Sequence, residues 1–94
     1  MKKKQIQAAV RRVEEMERCL DLLQKTADEN PAEIRSNAQL QAMLRQLTDY
    51  YENGRWMQDY ALDEQGLLPA DLKRGVLSED AVYDLLAQID GILR

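Results

Sequence analysis

The sequence predicts an all-α domain, built as a long antiparallel helical hairpin with a C-terminal helix packed back on it. Three observations carry that expectation. Apolar residues recur at helical spacing in three separate stretches. A cap-like Asn-Pro sits between the first two stretches. The first two stretches match in length and are joined by a short connection. The chain has 94 residues, 45% hydrophobic and 32% charged, which suits one folded domain over residues 1–94.

The first helix follows from a heptad pattern. Ile6, Val13, Leu20 and Ala27 repeat every seventh residue, with Ala9, Met16 and Leu23 between them. Glu14 with Arg18, and Asp21 with Lys25, stand four apart with the acid first, the supporting order on an exposed face. Such a stripe packs on a helix of its own chain or joins two chains as a coiled coil, so a homodimer is a possible assembly. The basic residues 1–5 are expected to fray.

The second helix is expected to open at Asn30-Pro31-Ala32-Glu33. Asn30 is placed to cap, Pro31 to take the first helical position, and Glu33 to complete a capping-box-like start. Its apolar face continues through Ile34, Leu40, Met43, Leu44, Leu47, Tyr50 and Tyr51, and Gly54 after Asn53 is a stop. Residues 53–77 then read as a long, partly helical connection. Trp56, Met57 and Tyr60 suggest a short helix there, and residues 69–74 a single turn ended by Gly75. Ser78 caps the last helix, with Glu79 and Asp80 at its positive end, Leu77 placed to staple against Val82, and an apolar face of Val82, Leu85, Leu86, Ile89 and Leu93.

Composition narrows the chemistry. With no His and one Cys, the usual Zn sites, Ser-His and Cys-His nucleophile pairs and Glu-x-x-His di-iron sites cannot be assembled from one chain. No cofactor is expected and the chain does not read as an enzyme. Cys19 cannot form an internal disulfide and reads as a small buried hydrophobe. No stretch of about 18 apolar residues is present. The N-terminal apolar run is too short for a signal peptide and is cut by Arg11 and Arg12. The expected location is therefore cytoplasmic.

Charge is unevenly placed. Lys2, Lys3, Lys4, Arg11 and Arg12 lie within residues 1–12, which hold no acid, whereas the rest of the chain has eight basic against 17 acidic groups. An acidic body repels phosphate backbones. Residues 69–86 resemble a helix-turn-helix in their turn, but the second helix carries Glu79, Asp80, Asp84 and Asp90 where a DNA reader needs Arg, Lys, Asn or Gln. Nucleic-acid association through the basic arm and this segment is the alternative reading. A protein partner is the expected one.

The candidate interaction surface is Trp56, Tyr60, Asp63, Lys73 and Arg74. Four of the five aromatics (Tyr50, Tyr51, Trp56, Tyr60) fall between residues 50 and 60. They either form an exposed hot spot or fold over the hairpin end as core. Lys73 and Arg74 either bind an anionic partner, bond the carbonyls of the short turn, or pair with Asp71, Asp59 or Asp63. Asp59, Asp63 and Glu64 lack the alternating acids and Gly of an EF-hand loop.

Residues 50–86 contain Tyr50-Tyr51, Gly54, Trp56, Asp59-Tyr60, Asp63-Glu64, Gly66, Leu68-Pro69 and the run DLKRGVLSED at residues 71–80. In these the stretch resembles a family of small bacterial proteins, the domain of unknown function 4298. The resemblance implies a bacterial or phage-borne cytoplasmic protein identified by its loop-plus-helix module. It supplies no activity, cofactor or catalytic residue.

Overall fold

A computed structural model describes residues 3–94. Among them there is no strand. Five helices follow in order: α1 (Lys3–Glu29), α2 (Ala32–Ser36), α3 (Ala38–Glu52), α4 (Arg55–Glu64) and α5 (Ala81–Leu93), with a 3-10 helix at Gly75–Leu77 before α5. At 1.5 Å per residue α1 is about 40 Å long, and it sets the long dimension of a 42 × 24 × 22 Å molecule.

The predicted hairpin is α1 against α3. Cys19 meets Gln46, and Arg12 and Met16 share a cleft with Asn53 and Tyr50, so the two helices run antiparallel. α5 packs back on α1 in the same direction as α1. Glu17 of α1 meets Val76 ahead of α5, and Asp28 near the end of α1 meets Gln88 within α5. The heptad stripe is therefore covered inside the chain. Ala9, Val13, Met16, Leu20, Leu23 and Ala27 are all buried, in one core with Leu47, Val82, Leu85 and Ile89. Of the residues expected to fray, 1 and 2 lie outside the described residues, while 3–5 form the first turn of α1.

The second predicted helix is broken in two. Asn37 is extended (φ −102°, ψ 114°), and its Oδ1 accepts the Leu40 N–H at 3.1 Å, so it caps α3. An Asn side chain competes with helical backbone bonds, and here it wins. Gln41 Nε2 donates to the freed Arg35 carbonyl at 2.7 Å. Asn30 does not cap α2 as expected: its amide donates to Glu33 Oε2 at 3.4 Å, and no side chain caps that helix. Arg35 instead closes the far end of the fold, donating to the Ile92 carbonyl at 2.7 Å at the C-terminus of α5, where a cation is favoured.

The connection is more ordered than its composition suggests. Gly54 takes φ +89°, which a side chain would resist, and turns the chain from α3 straight into the ten-residue α4. Gly75 does not end a turn as expected. The preceding turn closes with the Leu72 N–H on the Pro69 carbonyl, and Gly75 opens the 3-10 helix. Ser78 Oγ does accept the Ala81 N–H at 3.1 Å, at the start of α5. Residues 69–74 thus form no first helix, and the helix-turn-helix likeness reduces to a turn.

Candidate interaction surface

α4 carries Trp56, Asp59 and Leu62 on its inward side, at spacing three, and leaves Arg55, Gln58, Ala61 and Gln65 outward. Trp56 is buried and its Nε1–H donates to the Val76 carbonyl at 2.8 Å. Its ring stacks on Tyr60 at 5.0 Å and meets Tyr51 edge-on at 5.5 Å. The aromatics thus fold over the hairpin end, and Trp56 pins the 3-10 helix to α4. Tyr60 is half-buried, and its hydroxyl reaches Glu79 Oε1 at 3.1 Å, which holds the phenol above its ordinary pKa.

Asp59 is fully buried, at 0% exposure. It accepts from Arg12 Nη2 at 2.7 Å, from Arg12 Nε at 3.2 Å and from the Tyr50 hydroxyl at 2.7 Å. Arg12, 28% exposed, is the counter-charge that makes this burial tolerable. Burial, then the bond to Asp59, pushes the Tyr50 phenol far above its usual range, and the same carboxylate raises Arg12. These three residues join α1, α3 and α4.

Glu17 is the second inward acid. Its Oε1 accepts the Val76 N–H at 2.8 Å. A Cβ on Gly75 would stand 3.0 Å from Oε2, so a side chain there would crowd this carboxylate. Cys19 is buried as expected, and desolvation raises its thiol pKa.

Arg74 ties the connection down. It pairs with Asp63, donates to the Pro69 carbonyl, and reaches the Leu72 carbonyl at 3.2 Å. Of the readings open for the basic pair, bonding to Asp63 and to turn carbonyls is what Arg74 does. Lys73 points outward, with only a loose 3.7 Å contact to Asp21. The five residues singled out by sequence therefore divide. Trp56 and Arg74, with Asp63, hold the module together, Tyr60 offers one partly exposed ring, and Lys73 alone is freely exposed.

A family model, the domain of unknown function DUF4298, matches residues 13–94. The chain belongs to the DUF4298 family. The match starts within α1, so the DUF4298 unit includes the hairpin and is not confined to residues 50–86. No curated protein and no solved structure matches the chain.

Two of the clefts on the described residues of this DUF4298 chain differ in character. One lies between α3 and α5, where Tyr83 is 62% and Leu93 39% exposed beside half-buried Leu44, Tyr51 and Leu86. This groove has a volume of about 480 Å³ and is rimmed by Glu52 and Asp90, with no Lys or Arg among the described residues lining it. The other is a trough of about 630 Å³ between α4 and the first half of α1. Neither groove was visible in the sequence, since each is made by two helices distant along the chain. No helix of the described residues is long and apolar enough to cross a membrane.

Proposed function

We propose that this DUF4298 chain is a non-enzymatic protein-interaction module of the bacterial cytoplasm, which receives an apolar segment of a partner protein in the α3–α5 groove. The observation that carries this reading is the exposed Tyr83, 62% accessible at one end of an apolar groove that runs on to Leu93. An exposed Tyr beside an apolar groove is a residue type on which binding energy concentrates. Glu52 on the rim favours a basic flank on the partner segment, whereas Asp90 already pairs with Arg94 at 2.7 Å.

The buried acids support a non-catalytic reading, since Asp59 and Glu17 are both committed to structural bonds. The nucleic-acid alternative has lost two supports: Arg12 is committed to Asp59, and residues 69–74 supply no first helix. The test is affinity capture from a nuclease-treated bacterial extract, comparing the wild type with Tyr83→Asp. Residue 83 is exposed, so the variant keeps its circular dichroism spectrum. A protein held by the wild type and released by the variant, and then bound directly when purified, supports the reading. Equal capture by both would overturn the assignment to this face.

A further inference from the structure

The trough between α1 and α4 has a character opposite to that of the α3–α5 groove. Lys4 and Arg12 stand on its α1 bank, Arg55, Gln58 and Gln65 on its α4 bank, and no Asp or Glu among the described residues lines it. The floor is small and apolar at Ala8 and Ala61. Arg12 gives Nε and one Nη to Asp59, whereas Lys4 and Arg55 make no ion pair among the described residues. Both free cations also stand against helical preference. Lys4 lies in the first turn of α1 and Arg55 opens α4, where the dipole favours a carboxylate, and neither first turn contains one. Helix stability does not account for this placement.

The spacing of the charges indicates the shape of an anion that would fit the trough. Lys4 and Arg12 are two turns apart on α1, about 12 Å. Arg12, neutralised by Asp59, marks the end of the trough where Arg55 stands, since both also flank the cleft at Asn53 that Glu15 and Asp49 line. A lone phosphate cannot satisfy both ends. An extended peptide, at about 3.3 Å per residue, spans them with roughly four residues. No aromatic side chain lines the trough, so it offers no platform for stacked bases. The amides of Gln58 and Gln65 can both donate to and accept from a peptide backbone, and Ala8 and Ala61 leave room for an aliphatic side chain.

We propose that this trough binds an extended acidic segment of a partner protein, with carboxylates at Lys4 and at Arg55 and an aliphatic side chain over Ala8 and Ala61. It rests on the reading of the chain as a protein-interaction module and adds a second face to it. The overall charge of −4 would steer an acidic segment away from the rest of the surface and leave this end as its point of approach.

The test is fluorescence anisotropy with three labelled probes: a short peptide of alternating Glu and Leu, its Lys-Leu counterpart, and a single-stranded oligothymidylate of matched charge. The variant is Lys4→Glu with Arg55→Glu, which places acids where the helix dipoles favour them and so preserves the fold. The Glu-Leu peptide should bind the wild type at low ionic strength, weaken as salt is added, and bind the double variant about tenfold less tightly or worse. The Lys-Leu peptide should not follow that pattern. Absence of Glu-Leu binding at low salt, undiminished binding by the variant, or tighter binding of the oligothymidylate would each overturn the proposal. Capture through Tyr83 is a separate readout: if it succeeds while this test fails, the module reading stands and only the acidic-segment assignment falls.

Discussion

Asp59 is the residue on which the α1–α3–α4 junction depends, because a carboxylate at 0% exposure is tolerated only while Arg12 and Tyr50 stay in place. Asp59→Asn keeps a group that can accept from Tyr50 but leaves Arg12 without its counter-charge. Breaking a buried pair costs 3–5 kcal/mol, and Arg12 is partly solvated, so a loss of about 3 kcal/mol is expected in urea unfolding. A loss under about 1 kcal/mol would show that the pair contributes little to stability. Tyr50 adds a pH dependence of defined sign. Its phenol is raised, by burial first and Asp59 second, so the folded chain keeps a proton that the unfolded chain releases above pH about 10. Stability linked to this group is therefore complete below pH about 10 and is lost as pH climbs towards the folded-state pKa. Urea midpoints should fall through the alkaline range, and Tyr50→Phe should flatten that fall while lowering stability at neutral pH.

At the scale of elements, the 3-10 helix Gly75–Leu77 is held by side chains and not by helix propensity. Trp56 takes its Val76 carbonyl and Glu17 its Val76 N–H. Glu17→Ala leaves that buried N–H without an acceptor, at a cost of about 2 kcal/mol. Gly75→Ala should be destabilising in the wild type, because its Cβ would meet Glu17 Oε2 at 3.0 Å, and close to neutral once Glu17 is Ala. Additive losses in this double-mutant cycle would show that the two positions do not communicate. These contacts mark the limit of what the sequence could reveal. The helices α1, α3 and α5 were legible because their apolar period is set by neighbours a turn away. The break at Asn37 had a trace, a gap in the apolar face between Ile34 and Leu40, which the favourable Asn-Pro start obscured. Asp59 and Glu17 left no trace. An acid in a charged stretch reads as solvated until Tyr50 and Arg12, or Val76, are folded against it. Arg74 was legible only as a set of alternatives, two of which the fold selects by bringing Asp63 and the Pro69 and Leu72 carbonyls beside it.

At the scale of the whole molecule, α1 contacts every other element, and one core runs from Ala9 in α1 through Leu47 in α3 and Leu62 in α4 to Ile89 in α5. No part can leave without uncovering the heptad stripe, and exposing even one fully buried Leu costs on the order of 1.5–3 kcal/mol. The connection at residues 53–77 is bound into the same body by Trp56, Asp59 and Glu17, so it should unfold with the hairpin and not before it. Trp56 is the sole tryptophan and reports the seam between α4 and the 3-10 helix, whereas the far-ultraviolet circular dichroism is dominated by α1 and α3. Urea transitions followed by the two signals are expected to coincide, as for a single cooperative unit. A fluorescence midpoint at clearly lower urea would mean that the connection opens alone, as a local unit of low stability. It would then be able to offer Trp56 and Arg74 to a partner after all. Coincidence would leave recognition to the grooves already present in the folded state, where Tyr83 and Arg55 lie at the surface without any rearrangement.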